Sequence, residues 1–191
     1  MIVTEEHLAT LAWGADIINE SAHQTRYFSR AGKATIFLSH KHDDFANLKR
    51  VVFILEKLNT NIYVDWLDNS MPKNTSGVTA SRIKEKIRKM DKFILVASDA
   101  AIESKWCNWE LGYGDAQKYD CRKIALFPIC KIQDQWKGKE YMSIYPTIEY
   151  FDGINQRYSN TRRIIPKGFY CKYKGAEDSN NLIPLLDWLT L

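Results

Sequence analysis

Hydrophobic and polar positions along residues 34–130 alternate between short apolar runs and longer segments with a helical repeat. The apolar runs are ATIFLS (34–39), IYVDW (62–66), FILVAS (93–98) and KIALFPIC (123–130). Nearly continuous apolar runs of this length are typical of parallel strands that are covered on both faces. The segments between them repeat apolar residues with the period of a helix. Helices are therefore predicted at about 45–58, 79–89 and 100–118.

The pattern also predicts elements at the two ends of the chain. Residues 4–30 begin with a helical repeat and are expected to form an N-terminal helical extension, which occupies 1–32. The main domain is then expected over 33–191. Within it we predict a fifth strand from Thr147 to Phe151, a loop-rich insertion around 152–176, and a closing helix at LIPLLDWL (182–189).

This alternation of strands and helices predicts an α/β fold. The expected architecture is flavodoxin-like and doubly wound, with a mostly parallel five-stranded sheet, helices on both faces and the N-terminal helical extension. Ligands of such folds bind outside the carboxyl ends of the strands. Three segments follow strands at that edge: the first rim loop (40–44), the second rim loop (66–77) and the third rim segment (99–106).

Composition and charge narrow the class of protein. The chain has 191 residues, of which 45% are hydrophobic and 26% charged, and its net charge of +4 is too small to favour nucleic acid as the main partner. No apolar run is long enough to span a membrane, and the acidic start of the chain does not resemble a signal peptide. The four cysteines lack a CxxC pair, so we expect reduced thiols and a cytoplasmic protein.

Several chemistries lack their motifs. The chain has no G-x-G-x-x-G, Walker or G-x-S-x-G sequence, which disfavours dehydrogenases, P-loop NTPases and serine hydrolases. HKHDD (40–44) suggests a metal site, but with four histidines in the chain we expect none. Its alternatives are contact with a ligand's phosphates or ribose, and helix capping by Asp43 or Asp44. The basic segment 84–89 is expected to be a solvated helix face, because no aromatic residues interleave with its charges.

The stretch SKWCNWELGYG (104–114) carries the clearest candidate for chemistry. Trp106 and Glu110 are four residues apart and therefore share one face of a helix. Two interpretations remain open. Helical periodicity favours a packed Trp106 and a solvated Glu110, because most helical glutamates lie at the surface. The position next to the carboxyl edge of the sheet favours a Glu110 that points into the binding crevice.

These same residues carry a family resemblance. The stretches ATIFLSHKHDD, YVDWLDNSMPKNTSG, FILVASDAAIESKWCNWELG and KIALFPI resemble Toll/interleukin-1 receptor (TIR) domains over residues 33–151, with a looser match at LIPLLDWL. One branch of that family consists of scaffolds that self-associate in signalling complexes. Another branch cleaves NAD⁺ between nicotinamide and ribose, and its members hydrolyse, cyclise or transfer the ADP-ribose.

The resemblance implies roles for particular residues. The W-x-x-x-E pattern of the NAD⁺-cleaving branch falls on Trp106 to Glu110, so Glu110 is the implied catalytic residue and Trp106 packs beside the nicotinamide ribose. No metal is expected, and NAD⁺ is the substrate rather than a cofactor. The other implied substrate-binding residues come from the first two rim loops: Ser39, His40, Asp44, Trp66, Leu67, Asp68, Met71 and Asn74.

The resemblance also implies partners. Bacterial proteins that are little more than one TIR domain resemble the signal-producing component of antiphage systems such as Thoeris, which makes an ADP-ribose-derived messenger for a separate effector. The expected partners are therefore NAD⁺, further copies of the chain and that effector, with no nucleic acid or membrane. Two alternatives stay open: a non-enzymatic scaffold, which Pro72 in the second rim loop suggests, and an enzyme like the nucleoside deoxyribosyltransferases, which also use a glutamate on an N-glycosidic bond.

Overall fold

A mixed β-sheet organises the chain in the computed structural model, which describes residues 1–13, 33–65, 77–133, 135–173 and 182–191. Its strands, in chain order, are β1 (Val3–Thr4), β2 (Ala34–Ser39), β3 (Thr60–Tyr63), β4 (Lys92–Ala97), β5 (Ile124–Cys130), β6 (Thr147–Phe151), β7 (Gly168–Lys172) and β8 (Leu182–Pro184). Their order in the sheet is β3-β2-β4-β5-β6-β7-β8, and β1 pairs with β5. All pairs up to β6 are parallel, whereas β6–β7 and β7–β8 are antiparallel.

Helices cover both faces of this sheet. They are α1 (Glu5–Trp13), α2 (Phe45–Lys57), α3 (Gly77–Lys89), α4 (Asp99–Glu103), α5 (Lys105–Lys118) and α6 (Leu185–Thr190), with a short 3-10 helix at Glu140–Ile144. The α/β architecture with a mostly parallel sheet is confirmed. None of the helices within the described ranges has the length and apolarity that crossing a bilayer requires.

The core lies on the two faces of the central strands. Every residue of β4 and β5 is buried, as their continuous apolar sequences predicted. Because side chains alternate along a strand, Ile94 of β4 joins the cluster on the side of α1 and α2, and its neighbour Leu95 joins the cluster that contains α3 and α5 residues. Each face therefore has its own layer of helices.

The predicted helix over 100–118 is two helices. Its prediction as one element is wrong because Ser104 adopts an extended conformation, with φ −74° and ψ 118°, and ends α4. The Ser104 side chain then accepts a hydrogen bond from the backbone N–H of Cys107 at 3.3 Å, which caps the start of α5. The W-x-x-x-E motif thus begins in the first turn of a new helix at the carboxyl edge of the sheet.

The sheet is larger than the five strands predicted. Within the expected loop-rich insertion (152–176), Gly168–Lys172 forms β7 and pairs with β6 over five residues. The first three residues of the predicted closing helix form the strand β8, and the helix α6 begins only at Leu185. Both strands extend the sheet by antiparallel pairing, and this pairing joins segments far apart in sequence, so local periodicity does not reveal it.

The N-terminal residues pack on the same sheet. Val3 of β1 lies opposite Ile129 of β5, and Leu8 of α1 is fully buried in the core cluster that contains Leu48 and Val51 of α2. The predicted N-terminal helix is confirmed as far as Trp13. Its predicted continuation to residue 30 lies outside the described residues.

Candidate active site

Glu110 is buried at the carboxyl edge of the sheet. Strand β2 ends at Ser39, and the Ser39 hydroxyl donates a hydrogen bond to Oε2 of Glu110 at 2.5 Å. The Glu110 residue is 3% exposed, although it lies in the second turn of a helix. Of the two interpretations left open, the solvated Glu110 is therefore wrong, and the structure brings the predicted site residues Ser39 and Glu110 together.

The surroundings of Glu110 favour its protonated form. Burial raises the pKa of Glu110 to about 8, and the negative charge of nearby Asp65 adds to this increase. Hydrogen bonds from Ser39 and Trp106 favour the ionised form and therefore lower the pKa, but by less than burial raises it. At neutral pH the carboxyl group of the ligand-free protein is mostly neutral. A cation placed beside Glu110 would promote its ionisation, because opposite charges lower the pKa of an acid.

Trp106 belongs to an aromatic stack along α5. It is half-buried, and its ring lies 4.8 Å from that of Trp109 at an interplanar angle of 25°. Tyr113 continues the stack 6.3 Å beyond Trp109. The ammonium group of Lys84 on α3 lies 5.6 Å from the centre of the Trp109 ring. The segment 84–89 itself contains no aromatic residue, as noted from the sequence, and the aromatic ring that Lys84 meets comes from another helix.

His40 is also buried beside this site. It is 8% exposed, and its Nδ1 lies 4.0 Å from Oδ1 of Asp65, two residues after the end of β3. Burial lowers the pKa of His40, and the negative charge of Asp65 partly offsets that effect. The Cys107 thiol donates to the His40 carbonyl at 3.2 Å, which links the end of β2 to α5. Burial raises the pKa of this thiol to about 11, so Cys107 remains a neutral donor.

Asp44 precedes α2 but does not cap it. Its side chain makes no capping hydrogen bond to the helix backbone, so the capping interpretation is wrong for Asp44. Instead, Oδ1 of Asp44 accepts a hydrogen bond from the Asn47 amide at 2.8 Å. The other predicted binding residues, Trp66, Leu67, Asp68, Met71 and Asn74, lie outside the described residues.

Two further residues at this edge were not predicted. The Trp136 indole donates to the carbonyl of Ala97, the last residue of β4, at 2.6 Å. Asn47 contacts Asp44, as described above. In the sequence, Trp136 could have been noticed as an isolated tryptophan soon after a strand, whereas nothing in the sequence distinguished Asn47. In the part of the chain that the structure describes, no three His, Cys, Asp or Glu side chains are grouped so as to hold a metal ion.

The chain matches the sequence model of a known domain family. The sequence model of the TIR domain matches residues 36–165, which is more than half of the chain. The chain belongs to the TIR domain family. The matched range of this TIR domain includes Ser39, His40, Trp106 and Glu110, so the buried carboxylate and its contacts belong to the family's own region.

Two relatives of this TIR domain have names that refer to cyclic ADP-ribose. The chain is 31% identical over 117 residues to the Bacillus cereus (strain MSX-D12) protein named "Probable 3' cyclic ADP-D-ribose synthase ThsB'", an alignment covering 59% of each chain. It is 30% identical over 81 residues to the Cytobacillus dafuensis protein named "Putative cyclic ADP-D-ribose synthase TIR2", covering 41% of this chain and 21% of that protein. The chain therefore spans less than two thirds of either relative's length.

Proposed function

We propose that the protein cleaves NAD⁺ between nicotinamide and ribose, with Glu110 as the catalytic residue. The observation that carries the proposal is the buried Glu110 carboxyl group at the carboxyl edge of the sheet, held by Ser39 at 2.5 Å. Its place in a W-x-x-x-E pattern of a TIR domain and the names of the two relatives support the same reaction. A solvated glutamate would give the proposal no support.

The chemistry needs one positioned carboxylate. Breaking the bond between the ribose C1′ and the nicotinamide nitrogen leaves positive charge on the ribose, and the bonding electrons neutralise the departing pyridine. A carboxylate beside that ribose stabilises the oxocarbenium-like transition state. The leaving group needs no proton, so the second carboxylic acid that glycosidases use as a proton donor is unnecessary.

The protonation of Glu110 fits this scheme. Burial raises its pKa to about 8, so the ligand-free protein mostly holds a neutral carboxyl group at pH 7. The positively charged nicotinamide ring of NAD⁺ lowers that pKa when it binds alongside, and the proton leaves to solvent. The carboxylate is then generated in the presence of the cation that it has to stabilise.

We further propose that the ADP-ribosyl group is cyclised. A hydroxyl oxygen of the same molecule attacks C1′ as nicotinamide leaves, and its proton passes to the Glu110 carboxylate or to solvent. Hydrolysis differs in that water supplies the oxygen. The names of the two relatives support cyclisation. In this proposal Trp106 packs beside the nicotinamide ribose. The remaining predicted residues, Ser39, His40, Asp44, Trp66, Leu67, Asp68, Met71 and Asn74, surround the dinucleotide.

The product decides between these reactions. Purified protein is incubated with NAD⁺, and the products are separated by ion-pair chromatography with mass detection. We expect nicotinamide together with a product one water lighter than ADP-ribose. ADP-ribose alone would indicate hydrolysis, and intact NAD⁺ at high protein concentration would contradict the proposal. Unchanged NAD⁺ accompanied by turnover of nucleosides would favour the deoxyribosyltransferase alternative.

The proposal includes assembly and a messenger. We infer that the TIR domains self-associate and that the cyclic product acts on a separate effector protein. We further infer that this enzyme and its effector work in the cytoplasm and that the enzyme needs no cofactor besides its substrate NAD⁺. Among the described residues, the buried cysteines Cys107, Cys130 and Cys171 form no disulfide bond, which is compatible with a reducing compartment. Sedimentation velocity over a hundred-fold range of concentration tests assembly. Specific activity should rise with oligomer content, and concentration-independent activity of a monomer would contradict this part.

A further inference from the structure

The N-terminal helix begins at the same edge of the sheet as the candidate active site. Strand β1 runs parallel to β5, with Thr4 opposite Cys130, the last residue of β5. The chain therefore enters α1 at the carboxyl edge, and Glu5 in its first turn lies at that edge. Parallel pairing from β5 through β4 to β2 places Ser39 at this edge as well.

A hydrogen-bonded network joins this helix to the first rim loop. The Asn47 amide Nδ2 donates to Oδ1 of Asp44 at 2.8 Å and to Oε1 of Glu5 at 3.2 Å. Both hydrogens of one amide group thus contact carboxylates from different segments. Arg50 completes the network: its guanidinium donates to the Asn47 Oδ1 at 3.2 Å and to the Glu5 carbonyl at 3.4 Å.

The partners of the buried Asn47 side chain fix the orientation of its amide group. Asn47 is 4% exposed, so its polar atoms depend on these protein partners rather than on water. Arg50 contacts the amide oxygen, and Nδ2 must therefore face the two carboxylates. Oδ1 of Asp44 is occupied, whereas Oδ2 is buried and has no hydrogen-bond partner among the described residues.

We propose that Asn47 is a positioning residue that connects Glu5 of the N-terminal helix to Asp44 of the first rim loop. The helix α1 then forms part of the substrate site, because it determines where the Asp44 carboxylate lies. The kinetic consequence rests on the proposed cleavage of NAD⁺ and on the predicted substrate contact of Asp44. The structural coupling between α1 and the loop does not depend on either.

Hydrogen exchange tests the coupling without any assay of activity. The variants are Asn47→Leu, which removes the amide, and Glu5→Ala, which removes one partner. Glu6→Ala is the matched control, because Glu6 is the neighbouring residue in the same first turn but is exposed. The reporter is the Asp44 backbone N–H, which donates to the Lys41 carbonyl within the loop at 2.9 Å. We expect both variants, but not the control, to speed its exchange roughly 5- to 30-fold.

Steady-state kinetics then test the consequence for the site. We expect Asn47→Leu and Glu5→Ala to raise KM for NAD⁺ by roughly 5- to 30-fold while kcat changes less, as for a lost binding contact. A lower kcat with unchanged KM would show a general loss of folded protein and would overturn the proposal. Glu6→Ala should retain both constants.

The outcomes separate this proposal from the proposed function. Loop exchange that Glu5→Ala leaves at the control rate overturns the coupling, even if the protein cleaves NAD⁺. Faster exchange in a protein that does not cleave NAD⁺ supports the coupling and rejects the function. If Asn47→Leu fails to fold, Glu5→Ala, which changes a half-buried surface residue, still decides the question.

Discussion

The raised pKa of Glu110 makes the stability of the protein depend on pH in a way that Glu110→Gln should abolish. In the folded protein burial raises this pKa to about 8 from an ordinary value of 4.5. Between these values the unfolded chain has lost a proton that the folded chain retains. The free energy of unfolding therefore falls as the pH rises through this interval. Above about pH 8 the ionisation of Glu110 changes the free energy of unfolding no further.

The size of the effect follows from the difference between the two pKa values. Each pH unit within the interval costs about 1.4 kcal/mol, so the wild-type protein loses on the order of 3 to 5 kcal/mol by pH 9. Glutamine has nearly the same shape and can still accept the hydrogen bond from Ser39, but it does not ionise. We expect Glu110→Gln and the wild type to be equally stable at pH 4.5 within about 1 kcal/mol. At pH 9 the variant should be the more stable by a few kcal/mol.

Urea denaturation at pH 4.5, 6, 7.5 and 9 measures this difference. His40 faces the same site, but both proteins contain it, so its titration cancels in the comparison. Glu56→Gln removes one carboxyl group at an exposed position of α2 and is the matched control. A difference between Glu110→Gln and the wild type that is the same at pH 4.5 and pH 9 would refute the reasoning.

Two further predictions concern the hydrogen bond to Glu110 and the packing of the N-terminal helix. Ser39→Ala removes a hydrogen-bond donor that favours the ionised form of Glu110, so it should raise the pKa of that carboxyl group. The acidic limb of the pH–rate profile for NAD⁺ cleavage should then move up by about one pH unit. A profile unchanged in position would contradict the role of Ser39. Leu8→Ala should cost about 2 to 5 kcal/mol in urea denaturation, comparable with Leu48→Ala in the same cluster, because both leucines are fully buried. A cost below about 1 kcal/mol at Leu8 alone would show that α1 does not pack in the core.

Much of the sheet could be predicted because its central strands are buried on both faces. Such strands need continuous apolar sequence, and the runs at 93–98 and 123–130 match β4 and β5 to within one residue. The fifth predicted strand, from Thr147 to Phe151, is confirmed with its bounds. Strands β7 and β8 were missed because their existence depends on pairing with β6 and with each other, which no local pattern reveals.

The candidate site was predictable in its residue types but not in its contacts. Helical spacing placed Trp106 and Glu110 on one face, yet it favoured a solvated carboxyl group. The burial of Glu110 depends on β2 lying against α5, where Ser39 and the His40 carbonyl meet that helix. Asn47 could not be found from sequence, because an asparagine within a helix becomes informative only when its partners from α1 and the first rim loop are known.

The most direct test of the central claim is the rate at which nicotinamide is released from NAD⁺ by the wild type, Glu110→Gln and Glu56→Gln at the same concentration and oligomeric state. We predict release by the wild type and by Glu56→Gln at similar rates, and a loss of at least about 100-fold in Glu110→Gln. Glu110→Gln should remain folded by circular dichroism, so that the loss reflects chemistry. Release by Glu110→Gln at the wild-type rate would contradict the account.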